Sequence, residues 1–146
     1  MNVDPQLDYF LDTNILVYAY DSSAGVKHTL AREFMEGCWE NENGCLSMQV
    51  LQEFYVTVTR KIQTPLEPQT ARLIIADLAH WRVHTPEASD FLQAIDLQLS
   101  HHLALWDAMI VHSAMCLGCK QLVSEELAHG QIYGEVRVIN PFSEEG

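Results

Sequence analysis

Positive charge is scarce in this chain. Eight Lys and Arg stand against twenty Asp and Glu, for a formal net charge of −12. So acidic a surface excludes nonspecific coating of DNA or RNA through a diffuse basic face. It does not exclude a nuclease whose acids are neutralised by a divalent cation, and it would attract a basic segment of another protein. Long apolar runs are missing too: none reaches the roughly 18 residues of a membrane span. Met1-Asn2-Val3-Asp4-Pro5-Gln6 has neither the basic region nor the apolar stretch of a secretory signal, so a cytoplasmic location without membrane association is expected. No internal repeat, low-complexity tract or linker interrupts the chain.

Cysteine is sparse, and its spacing argues against a structural framework. Cys116 and Cys119 form a C-x-x-C, but six residues separate Cys38 from Cys45, so no second pair at zinc-site spacing completes it. Reduced cysteines acting as small fillers at a helix end and a strand start are expected.

The 146 residues, 48% apolar with mean hydropathy −0.03, suit one globular domain over 1–146, with short flexible ends at about 1–6 and 143–146. Short apolar strands are expected at Tyr9–Leu11, Cys45–Ser47, Trp81–His84, Gln121–Val123 and Val136–Ile139. Between them lie amphipathic helical stretches: Ile15 to Tyr20, about Ala24 to Glu42 ended by Asn43-Gly44, Gln49 to Lys61, about Gln69 to His80, from the Thr85-Pro86-Glu87 cap to about His101, and Trp106 to Leu117 closed by Gly118. Strands alternating with helices imply a largely parallel sheet covered on both faces, the three-layer α/β/α class.

Ligands of such sheets gather at the carboxyl ends of the strands, and several acids fall there. Asp12 directly follows the first strand; it suits either an N-cap of the next helix or a ligand. Asp107 joins that edge only if the Ala104-Leu105 loop brings it back, and it shares a helix face with Ile110, Val111 and Ala114, at i+3, i+4 and i+7. A carboxylate on an apolar stripe needs a metal, a cation or several donors, which its helix-start position alone does not explain. Glu53 stands about 60° from Val50, beside the apolar stripe of its helix; an ordinary solvated glutamate fits it equally. Glu125 and Glu126 follow the fourth strand, where a short helix before His129-Gly130 would also favour acids. His101, His102 and His129, and the basic pairs Lys27-His28 and Arg60-Lys61, read as surface or packing groups. Trp39 and Trp106 read as core or dimer surface rather than base-stacking platforms.

Carboxylates without paired His or Cys suit Mg²⁺ or Mn²⁺, which prefer oxygen donors. Such ions provide what phosphodiester hydrolysis needs: phosphate neutralisation, an activated water and stabilisation of the leaving oxygen. Thr13, Asn14 and Ser124 are polar groups that could orient those carboxylates.

Four segments in register, Phe10-Leu11-Asp12-Thr13-Asn14-Ile15-Leu16-Val17-Tyr18-Ala19, Val50-Leu51-Gln52-Glu53-Phe54, Leu105-Trp106-Asp107-Ala108-Met109-Ile110-Val111 and Leu122-Val123-Ser124-Glu125-Glu126-Leu127, together resemble PIN domains, especially VapC-like toxins. The resemblance implies a five-stranded parallel sheet in the order 3-2-1-4-5 with an acidic metal pocket at its carboxyl edge. It further implies hydrolysis of single-stranded or structured RNA with Mg²⁺ or Mn²⁺, a homodimer, and restraint by a partner antitoxin. The family's first three acids map onto Asp12, Glu53 and Asp107. The fourth, usually the Asp of a Ser/Thr-x-Asp triplet, falls on Glu126, one methylene longer. Two functions follow: an endoribonuclease toxin of a type II toxin–antitoxin pair, or a PIN scaffold with a weakened site that acts through protein or RNA binding. A phosphatase on a similar sheet would need Asp-x-Asp after the first strand; Asp12-Thr13-Asn14 does not provide it.

Overall fold

A computed structural model describes residues 2–143. The first strand, β1 (Tyr9–Leu11), is wholly buried and leads straight into helix α1 (Thr13–Tyr20). A 3₁₀ turn at Ser22–Ala24 precedes α2 (Val26–Asn41). Then come β2 (Gly44–Ser47), α3 (Met48–Arg60), α4 (Pro68–Leu78), β3 (Arg82–His84), α5 (Ala88–His101), α6 (Leu105–Cys116), β4 (Gln121–Val123), β5 (Ile132–Tyr133) and β6 (Val136–Ile139). Helix α1 packs on α2 and α3, and α5 on α6, forming two helical groups around the sheet. No helix among the described residues is long and apolar enough to cross a membrane.

The sheet runs β3-β2-β1-β4-β6-β5. Five strands are parallel, in the order the resemblance implies, with the expected Val136–Ile139 strand as β6. The sixth was not expected. Ile132 and Tyr133 pair antiparallel with Arg137 and Val136 across the two-residue turn Gly134-Glu135, and Gly134 takes a φ of 61° there. Tight hairpin turns require that positive φ, which glycine adopts without steric cost. Two residues are too few to read as a strand in sequence.

Both central strands are apolar because helices cover each face. Phe10, Leu11, Leu46, Leu122 and Val123 are completely buried. Side-chain oxygens start two of the helices: Asp12 accepts from Thr13 N and Ser47 from Val50 N. At the start of α5 the Asp90 carboxylate reaches back to the Glu87 amide at 2.7 Å, half of a capping box. Gly118, at φ 71°, closes α6 as expected.

The end of α2 differs from the expected Asn43-Gly44 stop. Glu42 takes the left-handed cap position, at φ 52°, and donates to Cys38 O. Asn43 is spent elsewhere: its amide nitrogen donates to Asp4 O and Leu7 O, tying the N-terminal segment to the sheet. Gly44 is already in β2, where a Cβ would fall within the Trp81 ring. The glycine is therefore there for close approach rather than for helix termination. The expected flexible C-terminal end lies, from residue 144 on, outside the described residues.

Gly44→Ala should destabilise the fold by about 1–3 kcal/mol, because the added Cβ forces the half-buried Trp81 ring out of its packing. The denaturation midpoint would show it; an unchanged midpoint would mean that the Trp39–Trp81 contact, with ring centroids 5.1 Å apart, yields freely.

Candidate functional site

Asp12, Glu53, Asp107 and Glu126 all line one cavity of about 260 Å³. Parallel pairing brings the carboxyl ends of β1 and β4 together, which places Asp12 beside Ser124. Glu53 comes from the second turn of α3, and Asp107 from the first turn of α6. The Ala104-Leu105 turn does bring Asp107 to this edge, a point that sequence left open.

Asp12 is the buried centre, only 4% exposed. Its Oδ1 accepts from the Thr13 amide at 2.7 Å, so it caps α1. Its Oδ2 accepts from Ser124 Oγ at 2.8 Å and Asn14 Nδ2 at 3.3 Å. Cap and ligand are thus not exclusive readings: four lone-pair directions remain partly free after three donors. Burial nonetheless pushes the Asp12 carboxyl up to about 6, with Glu126 and Asp107 adding repulsion and the donors opposing it. Burial also raises Asp107. It raises Glu126 as well, with repulsion from Asp107 and Glu53 adding to the effect.

Asn14 and Ser124 build the surrounding frame. Asn14 Oδ1 accepts from the Glu125 amide at 3.1 Å, while Ser124 Oγ accepts from the amides of Glu126 and Leu127. The segment after β4 is therefore an oxygen-centred turn, and no helix forms between Ser124 and Gly130. Thr13 Oγ1 makes a long 3.5 Å contact to Glu53 Oε1. Glu125 points elsewhere: Tyr18 OH donates to it at 2.6 Å and Lys27 pairs with it. Two adjacent glutamates thus have separate tasks, and Glu126 is the one left facing the cavity.

Among the described residues, no Lys or Arg lines the cavity. Mutually repelling acids with no protein cation leave a charge deficit that a hard divalent ion would fill, and the all-oxygen donor set suits Mg²⁺ or Mn²⁺. The carboxylates do not crowd to direct-cage distance: the metal-ligating atoms found within 4.8 Å of one another belong to His84, Asp90 and Cys116, elsewhere in the fold. An ion that keeps several of its waters fits the wider spacing.

Sequence reasoning missed part of this wall. Gln49 and Thr57 line the cavity with Glu53, and their i, i+4, i+8 spacing on α3 was a legible signal. Trp106, expected in the core or a dimer surface, is 63% exposed and lines the cavity rim. As the second residue of α6 it precedes the buried stripe. His129 Nδ1 accepts from the Asn140 amide at 3.0 Å, a local loop contact away from the acids.

The raised Asp12 carboxyl fixes a sign for pH. Its folded value, about 6, exceeds the unfolded value near 3.9, so the native state binds the proton more tightly. Stability is then lost as pH rises from about 4 through about 6, by on the order of 3 kcal/mol for this group. In EDTA, Asp12→Asn should therefore gain stability relative to the parent between pH 4.5 and 7.5. A constant difference across that range in urea melts would contradict the burial argument.

The family model for the PIN domain matches residues 9–132. No curated protein sequence matches the chain significantly. Among solved structures, a toxin–antitoxin complex from Klebsiella pneumoniae aligns with TM-score 0.68 at 17% identity, over 92% of this chain and 98% of that one. DNA-bound VapBC from Salmonella typhimurium aligns with TM-score 0.63 at 16% identity, over 91% and 97%. Mycobacterium tuberculosis VapC20, described as a sarcin–ricin loop cleaving toxin, aligns with TM-score 0.60 at 17% identity, over 79% and 87%. At such identities the structural likeness carries the fold, and the family model carries the membership: the chain belongs to the PIN domain family.

Proposed function

We propose that this protein is a metal-dependent endoribonuclease, the toxin of a type II toxin–antitoxin pair. One observation carries the reading: four carboxylates from four distant segments line a single cavity that no Lys or Arg among the described residues lines. The toxin–antitoxin complexes and the RNA-loop cleaving toxin among its structural neighbours support the substrate class and an antitoxin partner. The excess of acid also favours a partner with a basic segment.

Asp12, Glu53, Asp107 and Glu126 would hold the ion. When bound, Mg²⁺ or Mn²⁺ supplies phosphate neutralisation, acidification of water and stabilisation of the departing oxygen. The chain's own part is orientation. Ser124 and Asn14 fix Asp12 Oδ2, and the N-terminal turn of α6 presents Asp107 where the helix's partial positive charge favours an anion. Trp106 offers an exposed aromatic face at the rim, suited to stacking an unpaired base.

A weakened scaffold is the second reading, and Glu126 favours it: an exposed Glu in place of the family's Asp holds its carboxylate on a longer, freer stem.

RNA cleavage should vanish in EDTA and return with Mg²⁺ or Mn²⁺. Asp107→Asn should lower kcat by about 10²-fold or more, and Ser124→Ala should weaken metal affinity by about 10–100-fold. Cleavage that survives EDTA or Asp107→Asn would overturn the mechanism. Glu126→Asp separates the two readings. A large gain in rate from a barely active parent would identify the weakened scaffold, whereas an active parent with little change would identify a working nuclease.

A further inference from the structure

Two helices and an edge strand converge away from the acidic cavity on a cluster of a different chemistry. His84 ends β3, Asp90 lies in the first turn of α5, and His112 and Cys116 stand one turn apart in α6. Asp90 is the hub. His112 Nε2 is 2.9 Å from its Oδ1, Cys116 Sγ is 3.5 Å from the same oxygen, and His84 Nε2 is 3.6 Å from Oδ2. Cys116 Sγ and His112 Nε2 are 3.2 Å apart.

We propose that His84, Asp90 and Cys116, with His112 completing four, form a binding site for a borderline-soft divalent cation of the Zn²⁺ class. With metal–ligand distances of about 2.0–2.3 Å, neighbouring ligand atoms of a tetrahedral zinc stand about 3.3–3.7 Å apart. Donor atoms of His84, Asp90 and Cys116 already lie within 4.8 Å of one another, and His112 Nε2 stands just inside that edge length from Asp90 Oδ1 and Cys116 Sγ, at 2.9 and 3.2 Å. The donor set has two imidazoles, one carboxylate and one thiol, which favours zinc over the hard ions expected at the carboxylate cavity. A carboxylate and a thiolate would together balance the divalent charge.

The surroundings hold the donors in place. Ser113 Oγ, 2.8 Å from His84 Nδ1, engages the ring nitrogen that faces away from Asp90 and leaves Nε2 turned inward. The Glu87 amide donates to Asp90 Oδ2 at 2.7 Å and fixes the carboxylate at the start of α5. His84 and His112 are largely buried, with side-chain exposures of 12% and 7%, while Cys116 is exposed. An ion can thus enter from solvent at the sulfur side; the thiol proton leaves to water as the metal–sulfur bond forms. The C-x-x-C spacing is misleading here. Cys119 is buried beside Cys45, on the sheet side, and takes no part. The spacing that matters is His112-x-x-x-Cys116, i and i+4 on α6.

An ion at this place would staple the end of β3 and the start of α5 to the last turn of α6. The first turn of that same helix carries Asp107, nine residues and about 14 Å away along its axis. The site is independent of the nuclease reading, since it shares no ligand with the carboxylate cavity.

Co²⁺ reports on it directly, because only a cobalt–thiolate bond gives an intense charge-transfer band, and the acidic cavity has no sulfur. Chelator-stripped full-length protein under reducing conditions should develop that band to saturation at one ion per chain and lose it on adding Zn²⁺. Cys116→Ser should abolish the band, His84→Ala should weaken binding by about tenfold or more, and Asp107→Asn should leave the band intact. Zn²⁺ should raise the Tm of the parent by more than that of Cys116→Ser, whose far-UV spectrum should match the parent because the residue is exposed. The proposal is overturned by the absence of a band in the parent, by a band that survives Cys116→Ser, or by a band that forms only as the chain dimerises in sedimentation. None of these outcomes bears on whether RNA cleavage requires Asp107.

Discussion

A single hydrogen bond, from Ser124 Oγ to Asp12 Oδ2 at 2.8 Å, joins the carboxyl ends of two neighbouring parallel strands, and the acidic pocket is organised around it. The same serine oxygen accepts from the Glu126 and Leu127 amides, so one hydroxyl fixes both the central acid and the turn that supplies the fourth. Asp12 in turn starts α1. Loss of this bond would free a buried carboxylate and loosen a turn at once, and unsatisfied buried polar groups are costly. The fold therefore tolerates a buried acid because the strand register supplies its donors.

Much of this could be read from the chain. Five strands and the helix spans follow from apolar runs separated by amphipathic stretches, with element ends shifted by only a residue or two, whereas the strand order came from the PIN-domain resemblance. Asp107 stood out because an acid on an apolar helix face asks for a partner. What stayed hidden depends on tertiary approach. Gly44 looked like a helix stop until Trp81 was seen against it. Local pattern alone did not separate Glu125 from Glu126, which the resemblance singled out; Tyr18 and Lys27 engage Glu125 instead. Trp106 sits where helical periodicity meets a cavity rim, and periodicity does not encode rims. The His84, Asp90, His112 and Cys116 group spans 33 positions, so no local pattern announces it apart from one i, i+4 pair.

Helix α6 connects these themes. Its first turn presents Asp107 to the acids, its middle is fully buried, and its last turn carries Cys116 beside Asp90. A helix with nearly all faces occupied is a rigid spacer, and its two ends hold donors of opposite character: hard oxygens at one, nitrogen and sulfur at the other. On the two proposals above, that separation would keep two cation chemistries apart without competition for ligands.

The outermost strands are short. β3 has three residues and β5 two, the latter folded back as a hairpin. Open sheet margins are templates on which further chains can be added, and truncated margins offer little to copy. Self-association of this protein should then proceed through helical faces, and runaway lateral growth into fibrils is discouraged by the same turn at Gly134 that gave the sheet its sixth member.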